Sequence, residues 1–310
     1  MKRYIAKRLL LLIPIMLGAS ILSYSILYLA PGDPAELMLE RQLQGVPTQE
    51  QVNAFKEEHG LNDPIPIQFA KWLYRILHGD FGVSLRTEKP VLEEYFSRFP
   101  ASLVLFLLSQ AISIAIAIPL GVISAVKHNS KVDHFSRFIA LFGVSVPNFW
   151  LGLLFILFFA VYLGWLPAFG YGGFAHLILP ALALGVSGCA SIMRLMRASL
   201  LDVLHQDYIR TARAKGLCEK AITVKHALKN ALIPVVTVIG LHIGHLISGM
   251  VIIETIFAWP GVGRFLVESI HARDFPVIQG FVLIIAMLFV VFNLIVDISY
   301  TYLDPRIRYE

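Results

Sequence analysis

Ala101–Val126 reads ASLVLFLLSQAISIAIAIPLGVISAV, a run of apolar and small residues without one Asp, Glu, Lys or Arg. Crossing about 30 Å of hydrocarbon at about 1.5 Å per residue takes roughly 20 residues, so this run is long enough to span a bilayer. Five more blocks share its character: Leu9–Ala30, Phe138–Leu163, Tyr171–Met193, Asn230–Ile253 and Phe275–Val296. None contains an acid, lysine or arginine, and His176, His242 and His245 are their only imidazoles. A backbone in hydrocarbon must satisfy its own hydrogen bonds, which makes each block a helix. The expectation is an all-α membrane protein with six transmembrane helices.

Composition agrees. The 310 residues are 57% hydrophobic and 15% charged, against about 25% charged in a soluble domain. The net charge of +5 reads as topology, because no soluble basic domain is present to hold nucleic acid. Cys189 lies inside a block and Cys218 in a basic loop, so no disulfide is expected.

Met1–Arg8 carries Lys2, Arg3, Lys7 and Arg8 before the first block. That block exceeds a signal-peptide core of about 7–15 residues and has no small-residue cleavage site, so it reads as a retained helix. With the N-terminus inside, the inner segments hold 17 of the 26 Lys and Arg residues and the outer segments 9. The positive-inside rule then puts both termini in the cytoplasm. The whole chain, 1–310, reads as one transmembrane domain.

Two segments between blocks are large. Residues 31–100 form an outer loop with turn signals at Pro31-Gly32-Asp33-Pro34 and Asn62-Asp63-Pro64 and an amphipathic stretch at Gln68–Leu77. Trp72, Tyr74 and Phe81 are candidates for the headgroup level. A loop of this length is functional or carries its own structure. Residues 194–229 form an inner segment, in which Asp207 is placed to cap a short helix that Gly216 ends. A second short helix is expected over Glu219–Lys229. Such a surface helix either attracts anionic lipid or takes force from a soluble partner.

Catalytic signatures are missing. There is no Gly-x-x-x-x-Gly-Lys-Ser/Thr phosphate loop, no His-Glu-x-x-His and no nucleophile elbow, so the chain is not read as an enzyme. The blocks also lack the acidic relay of an ion-coupled transporter. The sequence therefore describes a conduit whose energy comes from another subunit. A self-sufficient secondary transporter or channel, the rival of a different class, needs charges or repeats not evident here.

Asp207-Tyr208-Ile209-Arg210-Thr211-Ala212-Arg213-Ala214-Lys215-Gly216, followed by His226–Pro234, resembles the cytoplasmic "EAA" loop of binding-protein-dependent ABC importer permeases, in the variant of the peptide/nickel group. The general Glu-Ala-Ala falls on Arg210-Thr211-Ala212, with the Glu and the first Ala replaced. The later Ile-x-Leu-Pro falls on His226–Lys229 and keeps only Leu228. Pro31–Pro34, Phe257–Arg264, Arg273–Gln279 and Asp304–Arg308 are also hallmarks of that group. The chain looks most similar to the nickel-transport permease at Gly143–Trp150, Trp165–Gly173 and His242–Gly244. Asp207–Gly216 and Val235–Leu241 read equally like a dipeptide or oligopeptide permease.

The resemblance implies a type I ABC importer permease fold in a bacterial or archaeal cytoplasmic membrane. The implied partners are a second related permease, two cytoplasmic ATPase subunits and an extracytoplasmic substrate-binding protein. ATP and magnesium would sit on the ATPases, and no cofactor on this chain. Asp207 to Gly216 would be the ATPase-coupling segment.

His242 and His245, three apart, share a helix face with Ser248. Imidazole suits Ni²⁺, so the two histidines are candidate transient metal contacts on the translocation pathway; hydrogen bonding between helices is the alternative. Glu254, at the outer end of the same helix, is placed to attract a cation. Met193 and Met196 read as packing. Pro14, Pro119, Pro147, Pro180 and Pro234 read as hinges or fixed kinks.

Overall fold

The computed structural model describes residues 2–29, 32–43, 45–58 and 60–303, without the side chains of 2–9, 34, 41–42, 142, 144, 241–249, 292–293 and 295–303. It is helical: α1 (Lys2–Leu29), α2 (Pro34–Leu43), α3 (Gln49–Glu58), α4 (Ile65–Leu77), α5 (Val91–Val126), α6 (Lys131–Ser145), α7 (Asn148–Phe155), α8 (Phe174–Leu204), α9 (Asp207–Ala214), α10 (Glu219–Ala221), α11 (Leu228–Ile256), α12 (Val262–His271) and α13 (Phe275–Leu303). Two π-helical stretches, Ile156–Tyr162 and Ile222–Ala227, continue α7 and join α10 to α11. Among the described residues the one β-pairing is an isolated bridge, Val83 with Pro90.

All six apolar blocks are helical. Among the described residues, Leu10–Leu29, Val91–Val126, Phe174–Leu204 and Glu219–Gly240 are long and apolar enough to cross a membrane, and Asn148–Tyr162 and Phe275–Val291 are shorter apolar helices. The third block departs from expectation. Phe138–Leu163 is not one helix, because α6 ends at Ser145 and α7 starts at Asn148. Pro147 takes φ −59°, ψ 139° at the break. It lacks an N–H and pushes Val146 out of the helical region. Pro14, Pro180 and Pro234 instead sit inside continuous helices.

Helices α5 and α8 overrun their blocks by about ten residues each. The 31 residues of α8 reach about 46 Å, beyond the roughly 30 Å of a bilayer core. Residues 194–204, expected in a loop, thus continue the helix of α8. The 36-residue α5 begins at Val91, inside the expected outer loop.

The chain divides into two compact units. The first comprises residues up to Pro100 and Gly261–Val291. Here the long loop is folded, as α2, α3, α4 and the start of α5. Gln68 is buried; its Oε1 accepts from Tyr24 and Tyr28 hydroxyls, and its Nε2 donates to Leu61 O at 3.0 Å and Asp63 O at 2.7 Å. This satisfies the amide fully and ties α4 to α1. Trp72 is not at a surface; it is buried with Tyr24 and Leu283, whereas Tyr74 is exposed.

The second unit is built on Ala101–Pro260. In it α8 packs against α6, α7 and α11, and Met193 and Met196 are buried in its core. A Cβ on Gly121 would lie 2.7 Å from Met196 Cβ and 2.9 Å from Met193 O, so α5 and α8 approach backbone to backbone. Cys189 is buried and Cys218 exposed, both unpaired.

Candidate functional site

The expected coupling segment is a short helix seated on two side chains. Ile209 is fully buried and Ala212 nearly so, three positions apart on one face. They share a buried cluster with Leu200, Val203, Ile222 and Ala227. Burying an isoleucine contributes about 1.5–3 kcal/mol toward seating this helix. Asp207, Tyr208, Arg210, Thr211, Arg213, Ala214, Lys215 and Gly216 are exposed. The segment therefore presents a charged outer face on an apolar anchor.

Its start differs from the expected cap. Gln206 holds the cap conformation, φ −75°, ψ 152°, without a side-chain hydrogen bond to the helix. Asp207 is the first helical residue, where its charge favours the helix N-terminus. It also accepts from Arg210 Nη1 at 3.3 Å. The end is as expected. Gly216 has φ +78°, its N–H donates to Arg213 O at 2.9 Å and Leu217 N–H reaches Ala212 O at 3.4 Å, the reverse turn of a Schellman motif.

The expected second short helix is not separate. Glu219 begins a helical path that runs through the π segment into α11. Two contacts tie α9 to this path. Arg213 Nε donates to Glu219 Oε1 at 2.6 Å. Asn230 Nδ2 donates to the Tyr208 hydroxyl at 2.8 Å. Residues 207–216 thus join α8 on one side and α11 on the other.

An ion pair nearby, of a buried acid with a half-buried arginine, carried no sequence signal. Asp133, on α6, is fully buried; Arg197 on α8 donates to it through Nε at 2.7 Å and Nη2 at 2.8 Å. Ser124 Oγ at 2.6 Å and Asn129 N–H at 3.0 Å complete the set. The Arg197 guanidinium holds the Asp133 carboxyl well below the usual carboxylate range, against the opposing effect of burial. Two facing charges spaced 64 residues apart have no local motif to mark them.

The pathway candidates divide. His242, His245 and Ser248 lie on the α11 backbone, but their side chains are outside the described residues. Glu254 is fully buried rather than at a rim, and accepts from Ser102 Oγ at 2.5 Å. Beside it, Trp259 N–H donates to Glu254 O at 2.8 Å and Trp259 Nε1 to Ala101 O at 2.9 Å.

Known proteins resemble this chain along its whole length. The family described as binding-protein-dependent transport system inner membrane component matches residues 117–309, and the N-terminal family of the same membrane component matches 1–106. The dipeptide transport system permease DppB of Alkalihalophilus pseudofirmus is 43% identical, covering 100% of both chains. The oligopeptide permease AppB of Bacillus subtilis is 45% identical, and the glutathione permease GsiC of Pectobacterium atrosepticum 42%, each again covering 100% of both chains. A solved structure of the MetNI methionine ABC transporter, inward facing, aligns with TM-score 0.59 at 20% identity, over 68% of this chain and 96% of that one, and supports the fold alone. The three sequence relatives are named for dipeptide, oligopeptide and glutathione transport; none of them is named for nickel, the cargo the sequence reading favoured. This chain belongs to the family of inner-membrane components of binding-protein-dependent transport systems, as a permease subunit of an ABC importer.

Proposed function

We propose that this permease forms half of the translocation pathway of an ATP-driven importer of short peptides. The observation that carries the reading is identity of 42–45% over the full length of permeases named for dipeptides, oligopeptides and glutathione. Its membrane arrangement is six spans with both termini cytoplasmic, residues 31–100 outside and 194–229 inside. It pairs with a second permease, and a binding protein delivers peptide to the outer side. Two ATPases bind at the inner side and hold the ATP and magnesium. The membrane is the cytoplasmic membrane of a bacterium or archaeon.

In this mechanism the exposed face of α9 and Gly216 meet an ATPase subunit. ATP-driven closure of the ATPases pushes α9. Because Ile209 and Ala212 sit in the core around α8, the push reaches α8, and the Tyr208–Asn230 bond carries it toward α11. His242, His245 and Ser248 are proposed pathway positions, where imidazole and hydroxyl groups suit the hydrogen bonding of peptide backbone. Transient nickel binding by the two histidines is the reading this one replaces.

The test is uptake by the complete complex in proteoliposomes with its binding protein, using labelled dipeptide, longer peptide and nickel in parallel. ATP-dependent peptide uptake that nickel leaves unchanged is the expected result. Nickel uptake that excess peptide does not reduce would overturn the peptide assignment.

A further inference from the structure

We propose that the pair of buried Asp133 with half-buried Arg197 is a positioning element of coupling: it fixes the Leu204 end of α8, and with it the seat of α9, against the α5–α6 turn. This rests on the reading of residues 207–216 as the coupling segment. The two Arg197 nitrogens approach opposite oxygens of Asp133 at 2.7 and 2.8 Å. A fork of this kind sets rotation as well as distance. Ser124 on α5 and Asn129 in the turn donate to the same carboxylate, and Arg137 Nε stands 3.8 Å from it. One carboxylate therefore gathers α5, the turn, α6 and α8.

Stability alone is a poor reason for such a pair. Desolvation of two charges offsets most of their attraction, and apolar side chains of similar volume are often as stabilising. What the pair adds is direction. The surrounding contacts are apolar: Ala125, Met193, Met196, Leu200 and Val203 share the cluster that seats Ile209. Apolar surfaces resist separation more than sliding, whereas a bidentate ion pair resists both. From Arg197 to Leu204 runs about 10 Å of continuous helix, too short to bend appreciably. A push on α9 thus moves α8 together with the α5–α6 turn instead of flexing the free end of α8.

The experiment uses the whole complex in proteoliposomes and compares R197K, D133N and the double variant D133N/R197Q with the parent. R197K keeps the charge and loses the fork. Peptide delivered per ATP hydrolysed, per assembled complex, is read beside the spin-label distance between native Cys218 and Lys131→Cys; buried Cys189 stays unlabelled. The expected result is assembly at the parent level, a broadened distance distribution and a fall of about tenfold in peptide per ATP for R197K. The double variant recovers toward R197K from the lower value of D133N, because it leaves no unpaired charge at the half-buried Arg197 position. An unchanged peptide-to-ATP ratio in assembled R197K overturns the inference, as does a fall without broadening. Failure of R197K to assemble assigns the pair to folding and overturns it too. If the parent complex moves no peptide, the transport reading fails by itself; the distance distribution then decides, and an unchanged one in R197K removes the positioning role.

Discussion

Two polar regions outside the apolar blocks are built on opposite plans. In the first unit, Asp274 is fully buried between α12 and α13 and accepts from Ser84 Oγ at 2.5 Å and Leu85 N–H at 3.2 Å. Arg86 pairs with Glu268 at 3.0 Å, and Arg98 lies 4.1 Å from the centre of the Phe265 ring. These four charged groups find partners within the region, whereas the Thr87 and Ser269 hydroxyls are buried there without one. In the second unit, α9 keeps only Ile209 and Ala212 inside and leaves its charges facing outward, paired only at the surface as Asp207–Arg210 and Arg213–Glu219. Internal pairing makes a rigid surface. A charged face on a small anchor makes a handle for something else to grip.

The largest expected break in this contrast is Ile209→Asp. An unpaired buried charge costs several kcal/mol, more than the seat supplies, so α9 detaches. Trypsin should then cut at Arg210 and Arg213, and ATP-driven uptake should be abolished. Protection of both sites together with parental uptake would show that the seat is not where the handle is held.

Asp274→Ala is the counterpart in the first unit. It strands the Ser84 hydroxyl and the Leu85 N–H, at a cost of about 1–3 kcal/mol. The melting temperature in detergent should drop by several degrees while peptide per ATP in the folded complex stays the same. A loss of coupling at unchanged melting temperature would mean the two regions are not so different.

Gly216→Ala is smaller. No atom lies within 4 Å of the added Cβ, so the cost is backbone strain alone, about 1 kcal/mol for a left-handed residue. Thermal unfolding of the complex measures it, and Gly216→Asn should cost less. Equal stability of alanine and glycine there would remove the positive φ as the helix stop. Smallest of all is Glu219→Gln. Its pair with Arg213 is exposed and is worth about 0.5 kcal/mol or less. Any difference should vanish at high salt; a larger, salt-independent effect would put that pair in a buried interface of the complex.

Sequence alone determined the class of this protein. Hydrocarbon thickness and the need for internal backbone hydrogen bonds leave long uncharged blocks no choice but helix, and each of the six blocks contains helix. The short helix at 207–214 and its glycine stop were legible because the signals are local: a basic last turn, then a residue free to take positive φ. Pro147 was also legible as a hinge or kink, but whether it bends one helix or separates two was not, and it separates two.

Only the tertiary structure decided what depends on distant partners. Trp72 had an interfacial look until Tyr24 and Leu283 enclosed it. Glu254 had the position of a rim charge, and Ser102, 152 residues earlier, turned it into a buried acceptor. Asp133 and Arg197 were two loop charges of ordinary appearance until α6 and α8 packed together. Periodicity and hydropathy record how each residue relates to solvent or lipid. Which charge meets which is settled when helices pack, since a buried carboxylate must find its donors wherever the fold brings them.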